Sequence, residues 1–177
     1  MTRCFIALVL PENIREELVR VQGELEKQKL FRGKLTEPEN IHLTLKFLGK
    51  LSKERIEAVK ERLDGAKLKK GMMRLGGCGV FSPEYVRIIW AHLEGVGELQ
   101  KAVDDALEGL YEKENWFMSH ITIARVKGLG DKKALMKYVE GMKLRPLEAE
   151  AKTVAFMKSE LTPKGPVYTP IKNYELG

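Results

Sequence analysis

The stretch His42-Leu43-Thr44-Leu45-Lys46-Phe47-Leu48-Gly49 is the key to this chain. With Ile41 before it, it forms a short apolar run bounded by glycine, the pattern of a strand over residues 41–48. Side chains alternate between faces along a strand. Leu43 and Leu45 therefore bury one face, while His42 and Thr44 stand together on the other. The run returns 78 residues on, from position 42 to position 120, as His120-Ile121-Thr122-Ile123. It lies within a second expected strand, 119–126, closed by Gly128 as the first is closed by Gly49. Each strand is followed by a helix with a capping residue, Ser52 in one case and Asp131 in the other. The chain holds three histidines and seven threonines, and chance would place Thr two residues after two of those histidines about half a per cent of the time. Strand, glycine and capped helix recur in order, which implies an internal duplication.

The flanking segments extend it. Residues 3–10 read as a strand ending at Pro11. Residues 12–27 read as an amphipathic helix with Ile14, Leu18, Val21 and Leu25 on one face. Residues 32–40, containing Gly33, Pro38 and Asn40, read as a loop. Ile56, Val59 and Leu63 share a face of the helix after Ser52, and 72–81 is a glycine-rich strand with a bend. The second half gives a strand at 86–92, a helix at 98–111, and a helix after Asp131 carrying Leu135, Tyr138 and Met142. Two strands, 144–159 and 167–175, surround a turn at 162–166. No Ser/Gly/Pro-rich linker separates the halves, so residues 1–177 are expected to fold as one body and not as two tethered domains.

Composition narrows the classes. At 177 residues, 44% apolar and 32% charged, the chain buries enough surface to fold without metal or disulfide staples, and it is neither disordered nor low-complexity. Its apolar runs are too short to span a bilayer. Met1-Thr2-Arg3-Cys4 leads directly into a strand, so no secretory leader is expected. Two cysteines, Cys4 and Cys78, show no ligand spacing and fit the reducing cytoplasm, with both thiols expected in the core. The net charge of +6 favours phosphate-rich partners. Four Asn and three Gln against abundant Lys and Glu lean towards the composition of thermophile proteins.

Two imidazoles across a cleft can hold a base and an acid at once, because histidine exchanges protons near neutrality. In-line displacement at phosphorus needs that pair: the nucleophile loses a proton while the leaving oxygen gains one. The hydroxyls of Thr44 and Thr122 suit non-bridging phosphate oxygens, and Arg125 suits a charge-assisted contact. Strand parity turns Arg125 away from His120, so it reaches the site only if the strand bends. His92 lacks the threonine and reads as structural or surface. Two histidines are too few for a metal site, and no Asp, Glu or Cys stands at a ligand position in either motif. Ser119 is turned away by parity, and no phosphate-cradling glycine loop occurs. Phe5, Phe47 and Tyr168 are candidates for stacking on a base, although aromatic residues in strands more often belong to the core.

The paired motifs, the opening Arg3-Cys4-Phe5-Ile6-Ala7 and the Ile123-Ala124-Arg125 that follows the second motif resemble the 2H phosphoesterase superfamily. Within it they are most similar to the 2′-5′ RNA ligase (LigT) family, also called RNA 2′,3′-cyclic phosphodiesterases. The resemblance implies an α+β fold of two pseudo-symmetric lobes, each an antiparallel sheet with flanking helices, whose cleft holds both motifs. It implies hydrolysis of RNA 2′,3′-cyclic phosphates to 2′-phosphomonoesters without cofactor or metal. His42 would protonate the departing O3′, His120 would activate water, and Thr44, Thr122 and Arg125 would hold the phosphate. Run backwards, the site would join 2′-5′ RNA ends. The expected partners are RNA with cyclic phosphate ends, tRNA fragments among them, or cyclic nucleotides, met by a monomer in the cytoplasm and not at a membrane. Two rival readings are a nucleotide- or RNA-end-binding module without turnover, and a phosphodiesterase for small cyclic phosphates such as ADP-ribose 1″,2″-cyclic phosphate.

Overall fold

Alternating burial along the two motif strands builds the molecule from the inside: Leu43, Leu45, Ile121 and Ile123 are all at most 1% exposed and belong to a single buried apolar cluster. The computed structural model describes all 177 residues. In chain order the elements are β1 (Thr2–Leu8), α1 (Glu12–Lys27), β2 (Phe31–Leu35), β3 (Leu43–Leu51), α2 (Lys53–Asp64), β4 (Met72–Val80) and β5 (Ile88–Glu94), then α3 (Gly97–Ala106), β6 (His120–Leu129), α4 (Lys132–Gly141), β7 (Glu148–Glu150), β8 (Thr153–Thr162) and β9 (Gly165–Glu175). The strands form two sheets, ordered β3-β1-β8-β9 and β2-β6-β5-β4-β7, with every pairing antiparallel. This is the α+β, two-lobed architecture expected. No helix is long and apolar enough to cross a membrane.

The lobes are not the two halves of the sequence. Each repeat sends its third strand into the other repeat's sheet: β4 pairs with β5, and β8 pairs with β1. The cores β3-β1-β8 and β6-β5-β4 therefore correspond strand for strand, and β9, β2 and β7 are added at their margins. Helices follow the same exchange. α1, from the first repeat, packs on β6, and α3, from the second, packs on β3. Ser52 Oγ accepts from Arg55 N at 3.2 Å and Asp131 Oδ1 from Ala134 N at 3.0 Å, the two caps expected.

Four local expectations need correction. Residues 32–40 are not a plain loop: Phe31–Leu35 pair with β6 as an edge strand, and Pro38–Asn40 make a 3₁₀ turn. Arg32 and Lys34 leave that strand exposed and charged, which suits an edge, and Gly33 is required because a Cβ there would meet the Arg125 carbonyl oxygen at 2.0 Å. Gly49 and Gly128 do not close their strands. The ladder steps by one residue beside each, at Leu48 and Lys127, and continues to Leu51 and Leu129. The helix expected over 98–111 stops at Ala106: Leu107 already leaves helical geometry, and Gly109 beyond it takes a φ of +82°. The strand expected over 144–159 is two strands, because the chain leaves β7 at one sheet's edge and crosses to β8 in the other sheet at Ala151–Lys152. Of the two thiols, Cys4 is buried and Cys78 only half-buried, and burial pushes Cys78 up to about 12.

Candidate active site

Both motif histidines stand at the start of their strands and are fixed in the same way. His42 Nδ1–H donates to the carbonyl of Asn40 at 2.7 Å, and His120 Nδ1–H donates to the carbonyl of Met118 at 2.9 Å. A carbonyl oxygen only accepts, so each bond places the proton on Nδ1 and leaves Nε2 as the working nitrogen. Asn40 is itself buried and tied down, its amide donating to the Pro166 carbonyl at 2.9 Å. Around the His42 ring pack Phe5, with centroids 5.0 Å apart, and the edge of Tyr168, at 5.2 Å. The His120 ring meets Phe81 at 4.7 Å, nearly perpendicular. Two histidines with equivalent anchors thus differ in surroundings: His42 is enclosed and His120 more open.

His42, Thr44, His120, Thr122 and Arg125 all line one cleft of about 670 Å³, together with Phe5, Phe47 and Tyr168. All five side chains singled out in the sequence are brought together. Within the free site the Thr44 hydroxyl lies 2.9 Å from His42 Nε2. Burial, above all, holds His42 below the ordinary histidine value. The Asn40 carbonyl opposes this, and positive charge at His120 and Arg125 adds to it. The two imidazoles are therefore near enough to feel each other's charge. Burial likewise raises the Tyr168 hydroxyl, which stays protonated.

Arg125 is in the cleft although simple alternation turns it away. Ala124 pairs with Ile89 and Thr122 with Trp90, so Ile123 has no partner and forms a β-bulge. Ile123 and Ala124 are both buried, parity flips, and Arg125 rejoins the face of His120 and Thr122. The same bulge occurs 78 residues earlier: Lys46 pairs with Ile6 and Thr44 with Ala7, leaving Leu45 over. There the flip buries Lys46 and brings Phe47, the counterpart of Arg125, into the cleft at 71% exposure. One lobe thus offers the cleft a guanidinium and the other offers it an aromatic ring.

The helix from the other repeat braces each bulge. Beside Ile123, Gln22 of α1 is 3% exposed, and its amide donates to the carbonyls of Ile123 and Thr36, both at 2.8 Å. Thr36 adds its own N–H to the Ile123 carbonyl at 2.9 Å and its hydroxyl to the Thr122 carbonyl at 2.9 Å. In the other lobe, buried Lys46 donates to Asp104 of α3 at 2.6 Å and to the Glu112 carbonyl at 2.7 Å. Burial would raise the Asp104 carboxyl, but Lys46, the Glu114 N–H and Gln100 outweigh it and hold the group low. None of Gln22, Thr36, Lys46 or Asp104 stands out in the sequence, because a polar residue on a helix face carries no mark of the bulge it will brace. His92 proves structural, Nδ1 donating to the Ser119 carbonyl at 2.7 Å, and Ser119 is buried with its hydroxyl on the Leu93 carbonyl.

Two antiparallel lobes presenting matched His-x-Thr strands to a common cleft define a 2H phosphoesterase. Residues 8–90 match the model of the LigT-like phosphoesterase family. The chain is 36% identical to an RNA 2′,3′-cyclic phosphodiesterase of Methanocaldococcus jannaschii, over 97% of its own length and 99% of that protein's. The crystal structure of TT0787 of Thermus thermophilus superposes with a TM-score of 0.80 at 32% identity, covering 98% of this chain and 97% of that one. E. coli LigT shares the fold, with a TM-score of 0.78 at 20% identity over 99% of this chain and 97% of its own. The chain belongs to the LigT-like phosphoesterase family.

Proposed function

We propose that this protein hydrolyses RNA 2′,3′-cyclic phosphates to 2′-phosphomonoesters by proton transfer between two histidines. The observation that carries the reading is the pair of Nδ1–H anchors, which leave two Nε2 atoms, two threonines and one guanidinium to a single cleft. His120 Nε2 takes a proton from water as its oxygen bonds to phosphorus. The P–O3′ bond breaks, and His42 Nε2–H gives its proton to O3′. Arg125 and the two threonine hydroxyls hold the non-bridging oxygens. Burial is the main influence that depresses His42's protonation, and an arriving phosphate anion opposes it by favouring the charged ring and by offsetting the positive charge at His120 and Arg125. With an RNA 5′-hydroxyl in place of water and the steps reversed, the site joins 2′-5′ ends. The chain acts as one two-lobed unit, a monomer of the cytoplasm, on RNA ends such as those of tRNA fragments.

The activity for which the relatives from Methanocaldococcus jannaschii and Methanothermobacter thermautotrophicus are named, RNA 2′,3′-cyclic phosphodiesterase, supports this substrate class. The test is direct. Each of His42→Ala and His120→Ala is expected to lose roughly 10²–10⁴-fold in kcat on 2′,3′-cyclic AMP while melting like the parent. The wild type should release a 2′-phosphate and should work in EDTA. Full turnover by both variants, or tight binding of the cyclic substrate with no product, would refute the mechanism.

A further inference from the structure

β3 presents the cleft's contents in order: His42 and Thr44 at its start, Phe47 in its middle, and Lys50 near its far end. The six steps from Thr44 to Lys50 rise somewhat less than about 20 Å, allowing for the bulges. That is further than one nucleotide reaches. At the far end Lys50 pairs directly with Arg3 of β1, and Arg3 pairs with Ser159 of β8. All three line the same cleft as His42. Like charges facing each other across an antiparallel ladder repel. Neither Arg3 nor Lys50 has a carboxylate partner, although ion pairs are plentiful elsewhere on the surface. The one acidic side chain of the cleft, Glu37, is already matched by Lys34 at the other end. The Arg3–Lys50 end is thus a pair of unneutralised cations with a hydroxyl beside them, separated from the reacting phosphate by an exposed aromatic ring.

We propose that Arg3, Lys50 and Ser159 form a second anion subsite, which takes an internal phosphodiester of the RNA strand a few nucleotides upstream of its cyclic end. The inference rests on the cyclic phosphodiesterase reading and adds a direction to it: the strand leaves along β3, past Phe47, towards the start of β1. A mononucleotide cannot reach the subsite, whereas a short oligonucleotide fills it.

The experiment compares 2′,3′-cyclic AMP with a tetranucleotide ending in a 2′,3′-cyclic phosphate, using the wild type, Arg3→Gln/Lys50→Gln and the charge reversal Lys50→Glu. The double variant should lose roughly tenfold more kcat/KM on the tetranucleotide than on cyclic AMP. Binding of a 2′-phosphate-ended tetranucleotide, read by fluorescence anisotropy, should show a log Kd against log salt slope shallower by about 1.4, the value for two lost contacts to a single strand. Lys50→Glu, which sets a carboxylate opposite Arg3 and likewise leaves the pair without net charge, should weaken that binding to a similar extent. Equal losses on both substrates, or an unchanged salt slope, would overturn the subsite. If the wild type turns over neither substrate, the catalytic reading fails, and the anisotropy slopes still decide the subsite by the same criterion.

Discussion

Burial moves His42 away from its ordinary titration more than any other influence; the Asn40 carbonyl pulls it back up, and charges at His120 and Arg125 push it down again. In the free enzyme, therefore, His42 keeps a proton only at pH values below those of an exposed histidine. A site that needs one imidazole charged and the other neutral gives a bell-shaped kcat/KM profile with two breaks, reporting the free enzyme. Two coupled groups titrate in sequence and the breaks belong to the pair, but whatever depresses His42 draws the lower break down with it. Arg125→Ala removes one of the repelling charges, so the lower break is expected to move upward. KM should rise at the same time through loss of the phosphate contact. A pH–rate series on 2′,3′-cyclic AMP checks both, and a lower break that stays in place in Arg125→Ala would show that Arg125 does not act on His42.

At the scale of elements, the site depends on one misfit residue in each motif strand. The Ile123 bulge puts Arg125 on the catalytic face, and the bulge's carbonyl is held by Gln22 and Thr36. Gln22→Leu strips a donor from a buried carbonyl, which costs about 1–3 kcal/mol of stability, measurable by urea unfolding. It should also raise KM for the cyclic phosphate, as Arg125 loses its bearing, whereas a merely structural role would lower Tm and leave KM alone. The same bulge marks where sequence reading stops. Alternation of His42 and Thr44 against Leu43 and Leu45, and its copy at 120–123, set out both strands and the open face that carries the imidazoles, while the two-lobed fold and its cleft followed from the family resemblance. Parity then failed at Arg125 and left Phe47 unplaced, since a bulge arises from pairing with β5 or β1 and leaves no local signature in Ile123 or Leu45. β2 was missed for a related reason. Phe31-Arg32-Gly33-Lys34-Leu35 has weak strand propensity of its own and is extended because β6 offers it an edge.

The exchange of strands between repeats makes folding and site assembly one event for the whole molecule. β4 finds its partners only in β5 and β7, both from beyond the Ser82-Pro83 turn, and β1 needs β8 as well as β3. α1 braces the bulge of β6, and α3 receives Lys46 of β3, so each half of the chain carries parts of the other half's cleft wall. A fragment of residues 1–84 would expose the apolar faces of β1 and β4 with no sheet to complete them, and 85–177 would strand β5 and β8 in the same way. Neither fragment is therefore expected to unfold cooperatively on its own by circular dichroism. Mixed in equal amounts, they should recover strand signal and activity on 2′,3′-cyclic AMP together, because β8 completes the sheet that carries His42 and β4 the sheet that carries His120. A cooperative urea transition from residues 1–84 alone would show that the repeats fold independently, and that the cleft forms by docking two finished lobes.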